Sequence, residues 1–242
     1  MQIQAVIFDR DNTLMHFAPE RVAALEQQIA AIAPSLPPEA ALRHWLQWEG
    51  GWPRRAEDEP VFWQNFWARF AEHHELSLPI TERLSQEIGA LYYTVFAAYP
   101  DAMPSLHTLY RAGLRLAVLT NFELPSVDRT LTYAGLDASL FDVLISSGAT
   151  GYWKPDTRAY EAALLALKLP AAACAFVDDL PENVAAARSI GMRGYLLDRA
   201  ATATADTHVI TSLSALPELL LSPFGSAGAQ VCCAHRHYDP GS

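Results

Sequence analysis

The chain is poor in charge. Charged residues fill 18% of its 242 positions, against about a quarter in ordinary globular domains, and the polar compositions of disordered segments are thereby excluded. Cations are the scarcer sign: Lys plus Arg number 17 against 27 Asp plus Glu, a formal net charge of −10. No basic run exceeds the pair Arg54-Arg55. No nucleic-acid partner is expected of such a chain, because phosphate backbones are bound by clustered cations. Cysteine is rare and odd in number, 3 in all (Cys174, Cys232, Cys233), which excludes a disulfide framework. The N-terminus lacks the cationic and apolar segments of a secretory leader, so a reducing, cytoplasmic location is expected. No apolar run approaches the ~18 residues of a membrane span, and no membrane partner is expected. Composition says nothing of the oligomeric state.

What is present is apolar and finely divided. Hydrophobic residues reach 51%, ample for a sizeable core at this length. Short apolar runs recur at 3–8, 114–119, 143–145, 174–177, 195–197 and 208–210. Each is of about strand length and predominantly apolar, as a parallel strand covered on both faces should be. Amphipathic helical patterns lie between them at 103–112, 126–134, 157–167 and 182–190. This alternation predicts an α/β fold built on a doubly wound, Rossmann-like parallel sheet.

The alternation fails between about Met15 and Pro100. No strand pattern is seen there, and helices are expected at 19–33, 38–48, 60–72 and 80–97, separated by proline-bearing loops. A connection of about 85 residues is too long for a loop. Residues 16–100 are therefore expected to form an inserted all-α cap domain on a core made of 1–15 and 101–221. Residues 222–242, rich in Gly, Ser and Ala, are expected to be a flexible tail. The tail stretch Cys232-Cys233-Ala234-His235-Arg236-His237 holds soft metal ligands, but on such a tail it is read as adventitious, and adjacent cysteines bond each other poorly.

Candidate chemistry sits where the apolar runs end. Val6-Ile7-Phe8-Asp9-Arg10-Asp11-Asn12-Thr13 passes from strand into a polar turn, and ligands of open α/β sheets bind at the carboxyl ends of strands. Two carboxylates two residues apart repel unless a cation or a shared proton intervenes. Alone, the pair also fits a capping Asp and a surface Asp. A second pair leaves another strand at Ala175-Phe176-Val177-Asp178-Asp179. Two such pairs point to a shared hard cation, and oxygen ligands without nearby His or Cys favour Mg²⁺ over zinc. Thr120-Asn121 ends the run 114–119, and Lys154 sits in the turn Gly151-Tyr152-Trp153-Lys154-Pro155. Taken singly, Thr120 also reads as a helix cap and Lys154 as a solvated charge.

In order, Asp9-x-Asp11-x-Thr13, Thr120-Asn121, Lys154-Pro155 and Asp178-Asp179 resemble the four motifs of the haloacid dehalogenase-like hydrolase superfamily, over about residues 3–220. The insertion after the first motif is similar to that family's helical cap. The resemblance implies a Mg²⁺-dependent phosphatase acting on a small phosphorylated metabolite. Asp9 is then the nucleophile, and Asp11 protonates the leaving oxygen and later activates water. Asp9, Asp178, Asp179 and the Asp11 backbone carbonyl hold the metal. Thr120 and Lys154 bind the phosphoryl group, and Asn121 orients their loop. The family's dehalogenases lack an acid at the place of Asp11 and the metal site of the Asp178-Asp179 type. A phosphomutase shares the motifs and stays open as an alternative, and behind it a 2-haloacid dehalogenase or a non-catalytic binding protein on the same scaffold.

Three positions depart from the family pattern. Asn12 stands where Gly is usual, and Asn tolerates left-handed backbone angles. Trp153 places a bulky ring before Lys154. Asn183, followed by Val184, replaces a further Asp. In the cap, Trp45, Trp48 and Trp52 are read as one helical face, and Trp63, Phe66, Trp67 and Phe70 follow i, i+3, i+4, i+7 spacing. Both sets fit cap core or an aromatic wall facing substrate. Arg54 and Arg55 fit a solvated loop or a contact to an acidic group of the substrate.

Overall fold

A computed structural model describes residues 2–201 and 206–221; the expected tail and its Cys/His stretch lie outside the described residues. In chain order the elements are β1 (Ala5–Phe8), β2 (Met15–Phe17), α1 (Pro19–Ile32), α2 (Ala40–Leu46), α3 (Glu59–His73), α4 (Leu78–Arg83) and β3 (Phe96–Ala98). They continue as α5 (Ala102–Arg111), β4 (Arg115–Thr120), α6 (Val127–Ala134), β5 (Val143–Ser146), α7 (Ser147–Thr150) and α8 (Thr157–Leu167). The chain closes with β6 (Cys174–Asp178), α9 (Pro181–Ser189), β7 (Arg193–Leu197), β8 (Val209–Ile210) and α10 (Leu216–Leu221).

Six strands form one parallel sheet in the order β5-β4-β1-β6-β7-β8. Side-chain alternation divides its core. Val6 and Phe8 of β1, Leu116 and Val118 of β4, and Ala175 and Val177 of β6 pack on one face with α5, α6 and the cap. Ala5, Ile7, Ala117, Leu119, Cys174 and Phe176 pack on the other with α8 and α9. Both faces are buried, which is why the strands read as unbroken apolar runs rather than as alternating ones. No helix among the described residues is long and apolar enough to cross a membrane.

The interval from Met15 to Pro100 differs from expectation in two ways. It begins and ends in strands: β2 and β3 pair antiparallel, Met15 opposite Ala98 and Phe17 opposite Phe96. Three residues a side are too few to produce a periodic signal, and the ribbon exists because the two cap connections run side by side. The helix expected over 80–97 is not continuous either. α4 ends at Arg83, the chain widens to a π-type turn over Leu84–Ile88, and a 3₁₀ segment over Gly89–Val95 leads into β3. Gly89 turns with φ +36°, a backbone angle that side-chain-bearing residues rarely adopt. α2 stops at Leu46, so Trp48 and Trp52 lie beyond it and share no helical face with Trp45.

The cap and the core share one hydrophobic cluster, running from Trp45, Trp63 and Phe66 to Phe96, Phe122 and Phe8. Polar contacts add direction. Arg21 of α1 donates to the carbonyls of Phe96 and of Tyr133, the latter at 2.8 Å. Glu59, at the start of α3, is buried; it accepts from the Tyr93 hydroxyl and, at 2.7 Å, from the backbone N–H of Ser126 in the core. Burial and this carboxylate hold the Tyr93 phenol above its usual range. Glu59→Ala would leave both donors buried and unpaired, at a cost of about 3 kcal/mol. Urea unfolding monitored by tryptophan fluorescence should show that loss, and an unchanged midpoint would mean that water replaces the carboxylate.

Candidate active site

The register of the sheet brings the carboxylates together. Phe8 is level with Val118 on one side and Val177 on the other. The next residue on β1 is Asp9, and the next on β6 is Asp178. The paired strands thus end side by side in acids, at the edge where the strand order reverses direction. One ligand atom from each of Asp9, Asp178 and Asp179 lies within 4.8 Å of the others.

Lys154 holds this cluster. Its Nζ donates to Asp9 Oδ1 at 2.6 Å and to Asp178 Oδ2 at 2.7 Å, and the side chain is 1% exposed. Burial opposes its charge, but the two carboxylates outweigh burial and keep the ammonium above its ordinary range. Asn121 sets the loop: its Oδ1 accepts from the Lys154 N–H at 2.7 Å, and its Nδ2 donates to the Lys154 carbonyl at 2.9 Å. Both of these bonds join the Asn121 side chain to the backbone of the Lys154 turn. Thr120 is buried at the end of β4, its Oγ1 accepting from Phe122 N–H at 3.1 Å. Ser147 Oγ donates to the carbonyls of Asn121 (2.9 Å) and Phe122 (3.1 Å). Gly148 lets α7 come this close, since a Cβ there would lie 1.5 Å from the Glu123 carbonyl oxygen.

The two acids of the second pair are not equivalent. Asp178 accepts from Lys154, from the Leu180 N–H at 2.9 Å, and from Asn183 Nδ2 at 3.1 Å on both oxygens. Asn183, where the family pattern has a further Asp, therefore acts as a donor that fixes Asp178. Asp179 is half-buried, and burial and Asp178 push its carboxyl upward. Burial is also the main influence on Asp9, with Asp178 and Asp11 adding to it against Lys154, and the carboxyl is pushed up to about 7. Asp9 Oδ2 is buried and has no hydrogen-bond partner among the described residues. A buried, unpartnered carboxylate oxygen within an all-oxygen donor set is what a hard divalent cation satisfies, so the residues present fit Mg²⁺.

The turn after β1 keeps Asp11 outside the cluster. Asn12 adopts φ +56°, the left-handed angle expected of it. The Asp11 carboxylate faces Arg10, not the other acids: Arg10 Nη2 donates at 2.8 and 2.9 Å, and Nε at 3.1 Å. The repulsion read from the sequence is thus relieved by two protein cations, Lys154 for Asp9 and Arg10 for Asp11. Sequence reasoning missed Arg10, although a cation set between two strand-end acids was a visible sign. It also missed Arg199, which pairs with Asp101 through two contacts at 3.0 Å and donates to the carbonyl of Thr13 at 2.8 Å. Arg199 thereby ties the end of β7 to the turn after β1 and to the segment after β3. A cleft of about 470 Å³ beside the acids is lined by Asn12, Tyr99, Asp179 and Arg199, among others.

The cap residues separate. Arg55 is exposed and paired with Glu57 at 2.7 Å and Asp58 at 3.3 Å. Arg54 reaches the core, where its guanidinium nitrogens lie 3.5 and 3.6 Å from the place a Cβ of Gly151 would occupy, at the head of the Lys154 turn. Trp45, Trp63, Phe66, Trp67 and Phe70 are buried and make cap core. Trp153 is largely exposed.

This sheet, with acids on its two central strands and a lysine bridging them, defines a haloacid dehalogenase-like hydrolase. The family model of that description, "Hydrolase: haloacid dehalogenase-like hydrolase", matches residues 3–191, and the chain belongs to the family. Phosphatase MT3486 of Mycobacterium tuberculosis is 37% identical over 224 residues, covering 91% of this chain and 98% of that protein. The (S)-2-haloacid dehalogenase of Pseudomonas sp. strain YL is 35% identical over 165 residues, or 66% of this chain and 69% of its own. The crystal structure of 2-haloacid dehalogenase from Pseudomonas syringae pv. Tomato DC3000 superposes with TM-score 0.66 at 24% identity, covering 91% of this chain and 99% of that one. That likeness is one of fold.

Proposed function

We propose that the chain is a Mg²⁺-dependent phosphatase that hydrolyses a small phosphorylated metabolite through an aspartyl-phosphate intermediate. The observation that carries this reading is the arrangement at Asp9: one oxygen is held by Lys154, while the other is buried, unpartnered and close to Asp178 and Asp179. The whole-length similarity to a phosphatase supports it. So does Asp11, an acid that the family's dehalogenases lack.

Asp9, Asp178 and Asp179, with the Asp11 backbone carbonyl, would hold the metal. When bound, it offsets the repulsion between carboxylate and phosphate dianion. Asp9 attacks phosphorus, forming a P–O bond as the bond to the leaving oxygen breaks. Asp11 gives its proton to that oxygen. Asp11, now a carboxylate, takes a proton from the water that attacks the phosphorus of the intermediate; phosphate leaves and Asp9 is regenerated. Lys154 orients Asp9 and offsets charge on the transferring group. The Thr120 hydroxyl accepts from Phe122 and keeps its own hydrogen for a phosphoryl oxygen. Asn121 positions Lys154. Arg54, beside the Lys154 turn, is the cap residue best placed to meet an acidic group on the leaving part of the substrate, and Arg55 is occupied by its own acids.

The test is phosphate release over a panel of phosphorylated metabolites. Free phosphate is expected from at least one small monoester with Mg²⁺, falling to background in excess chelator and returning with Mg²⁺. Full activity after exhaustive metal removal would refute the metal assignment, and an isomerised ester without free phosphate would make the protein a mutase.

A further inference from the structure

Arg10 is a wholly buried cation to which the reaction above gives no work. Its side chain is 1% exposed. The guanidinium carbon lies 3.8 Å from the centre of the Phe122 ring and 4.6 Å from that of Phe96, two rings set edge to face with each other. Three hydrogen bonds run from Nε and Nη2 to the Asp11 carboxylate, and Nη1 has no partner. Glu123 feels the charges of both members of this pair, and Asp9 that of Asp11. The two rings come from different parts of the molecule. Phe122 follows Thr120-Asn121, with its N–H held by Thr120 and its carbonyl by Ser147. Phe96 opens β3, the strand by which the cap returns to the core.

A carboxylate on a turn, 41% exposed, has several rotamers open to it. A planar guanidinium removes that freedom, because its fork accepts the carboxylate in one plane only. The guanidinium is itself confined by the two rings, which contact it from different directions. Asp11 Oδ2 takes two of the three hydrogen bonds and Oδ1 takes one, so Oδ1 can be released while Oδ2 stays held.

We infer that Arg10 is a positioning residue for Asp11. In contact with both Phe122 of the core and Phe96 of the β2–β3 ribbon, it holds the Asp11 carboxylate in one orientation and makes that orientation depend on the seating of the ribbon. The inference rests on the proposed role of Asp11 in protonating the leaving oxygen. The acid then points correctly only when β3 is in place.

The experiment compares kcat/KM, with Mg²⁺, for p-nitrophenyl, phenyl and benzyl phosphate, which are similar in size and rise in leaving-group basicity. Asp11→Asn should lose about 100-fold or more on benzyl phosphate and under about tenfold on p-nitrophenyl phosphate, the range a general acid supplies. Arg10→Met and Arg10→Lys should show the same slope, and Phe96→Leu a shallower one. Arg10→Met combined with Asp11→Asn should be no worse on benzyl phosphate than Asp11→Asn alone. Arg10→Lys keeps charge and bulk but lacks the fork, so it carries the test if Arg10→Met does not fold. Equal losses on all three esters for the Arg10 variants, beside a sloped loss for Asp11→Asn, would overturn the inference and leave the phosphatase reading standing. A flat loss for Asp11→Asn itself would overturn the acid assignment, and the inference with it.

Discussion

Asp9→Asn should abolish turnover and leave the protein folded. The amide is nearly isosteric but cannot form an acyl phosphate, and loss of a nucleophile removes several powers of ten from the rate. Stability should not follow activity. Asp9 is buried, with a carboxyl pushed up to about 7 chiefly by that burial, so the neutral amide relieves desolvation and repulsion from Asp178. Lys154 exchanges one charged acceptor for a neutral amide oxygen and keeps Asp178 at 2.7 Å. Without metal, the variant should unfold within about 1 kcal/mol of the parent, or later. Added Mg²⁺ should raise the melting temperature of the parent more than that of the variant, since a ligand stabilises in proportion to its affinity for the folded state. Near-normal release of phosphate by Asp9→Asn would remove Asp9 from the nucleophile's place.

Lys154→Met should damage both activity and stability. The ammonium is the donor shared by Asp9 and Asp178, and all three side chains are buried. Removing one partner of a buried charge pair costs about 3–5 kcal/mol, because the remaining charge is left uncompensated. Here two carboxylates are left, facing each other and Asp179. Urea unfolding in chelator should show a loss of that order, and saturating Mg²⁺ should recover part of it by supplying the missing positive charge. Turnover should still fall by about 100-fold or more with Mg²⁺ present, because a metal does not replace an oriented donor on the transferring group. Parent-like stability in chelator would show that the carboxylates take up protons or water at no cost. In that case the bridge would not be what holds the cluster.

The parts of this site that were legible in sequence share one property. Each is the first polar residue after an apolar run: Asp9 after β1, Thr120 at the end of β4, Asp178 at the end of β6. β1 and β6 carry no polar residue earlier, and β4 only Arg115 at its first position, so the active edge is marked by position. Lys154 was legible from its place in the ordered motifs, the chain's only other lysine being Lys168. Glu59 and Arg199 were not, because their meaning lies in distant partners. Glu59 meets Ser126 across 67 residues, and Arg199 meets Thr13 across 186. Nothing local distinguishes these residues from surface charges. β2 and β3 escaped for a related reason: Met15-His16-Phe17 becomes a strand only when Phe96-Ala97-Ala98 lies beside it.

That ribbon also sets what the cap costs the rest of the molecule. Closing a long flexible segment between fixed ends carries an entropic penalty that grows only with the logarithm of its length. Here the ends are held as neighbours, Tyr99 N–H bonding the Leu14 carbonyl at 3.0 Å. Strand order, register and the acidic edge are all complete without reference to what the chain does between Phe17 and Phe96. The insertion is topologically a side branch. It can lengthen, shorten or be exchanged for another helical unit while the sheet keeps its wiring, so leaving-group selectivity can drift across generations on a chemical apparatus that does not move.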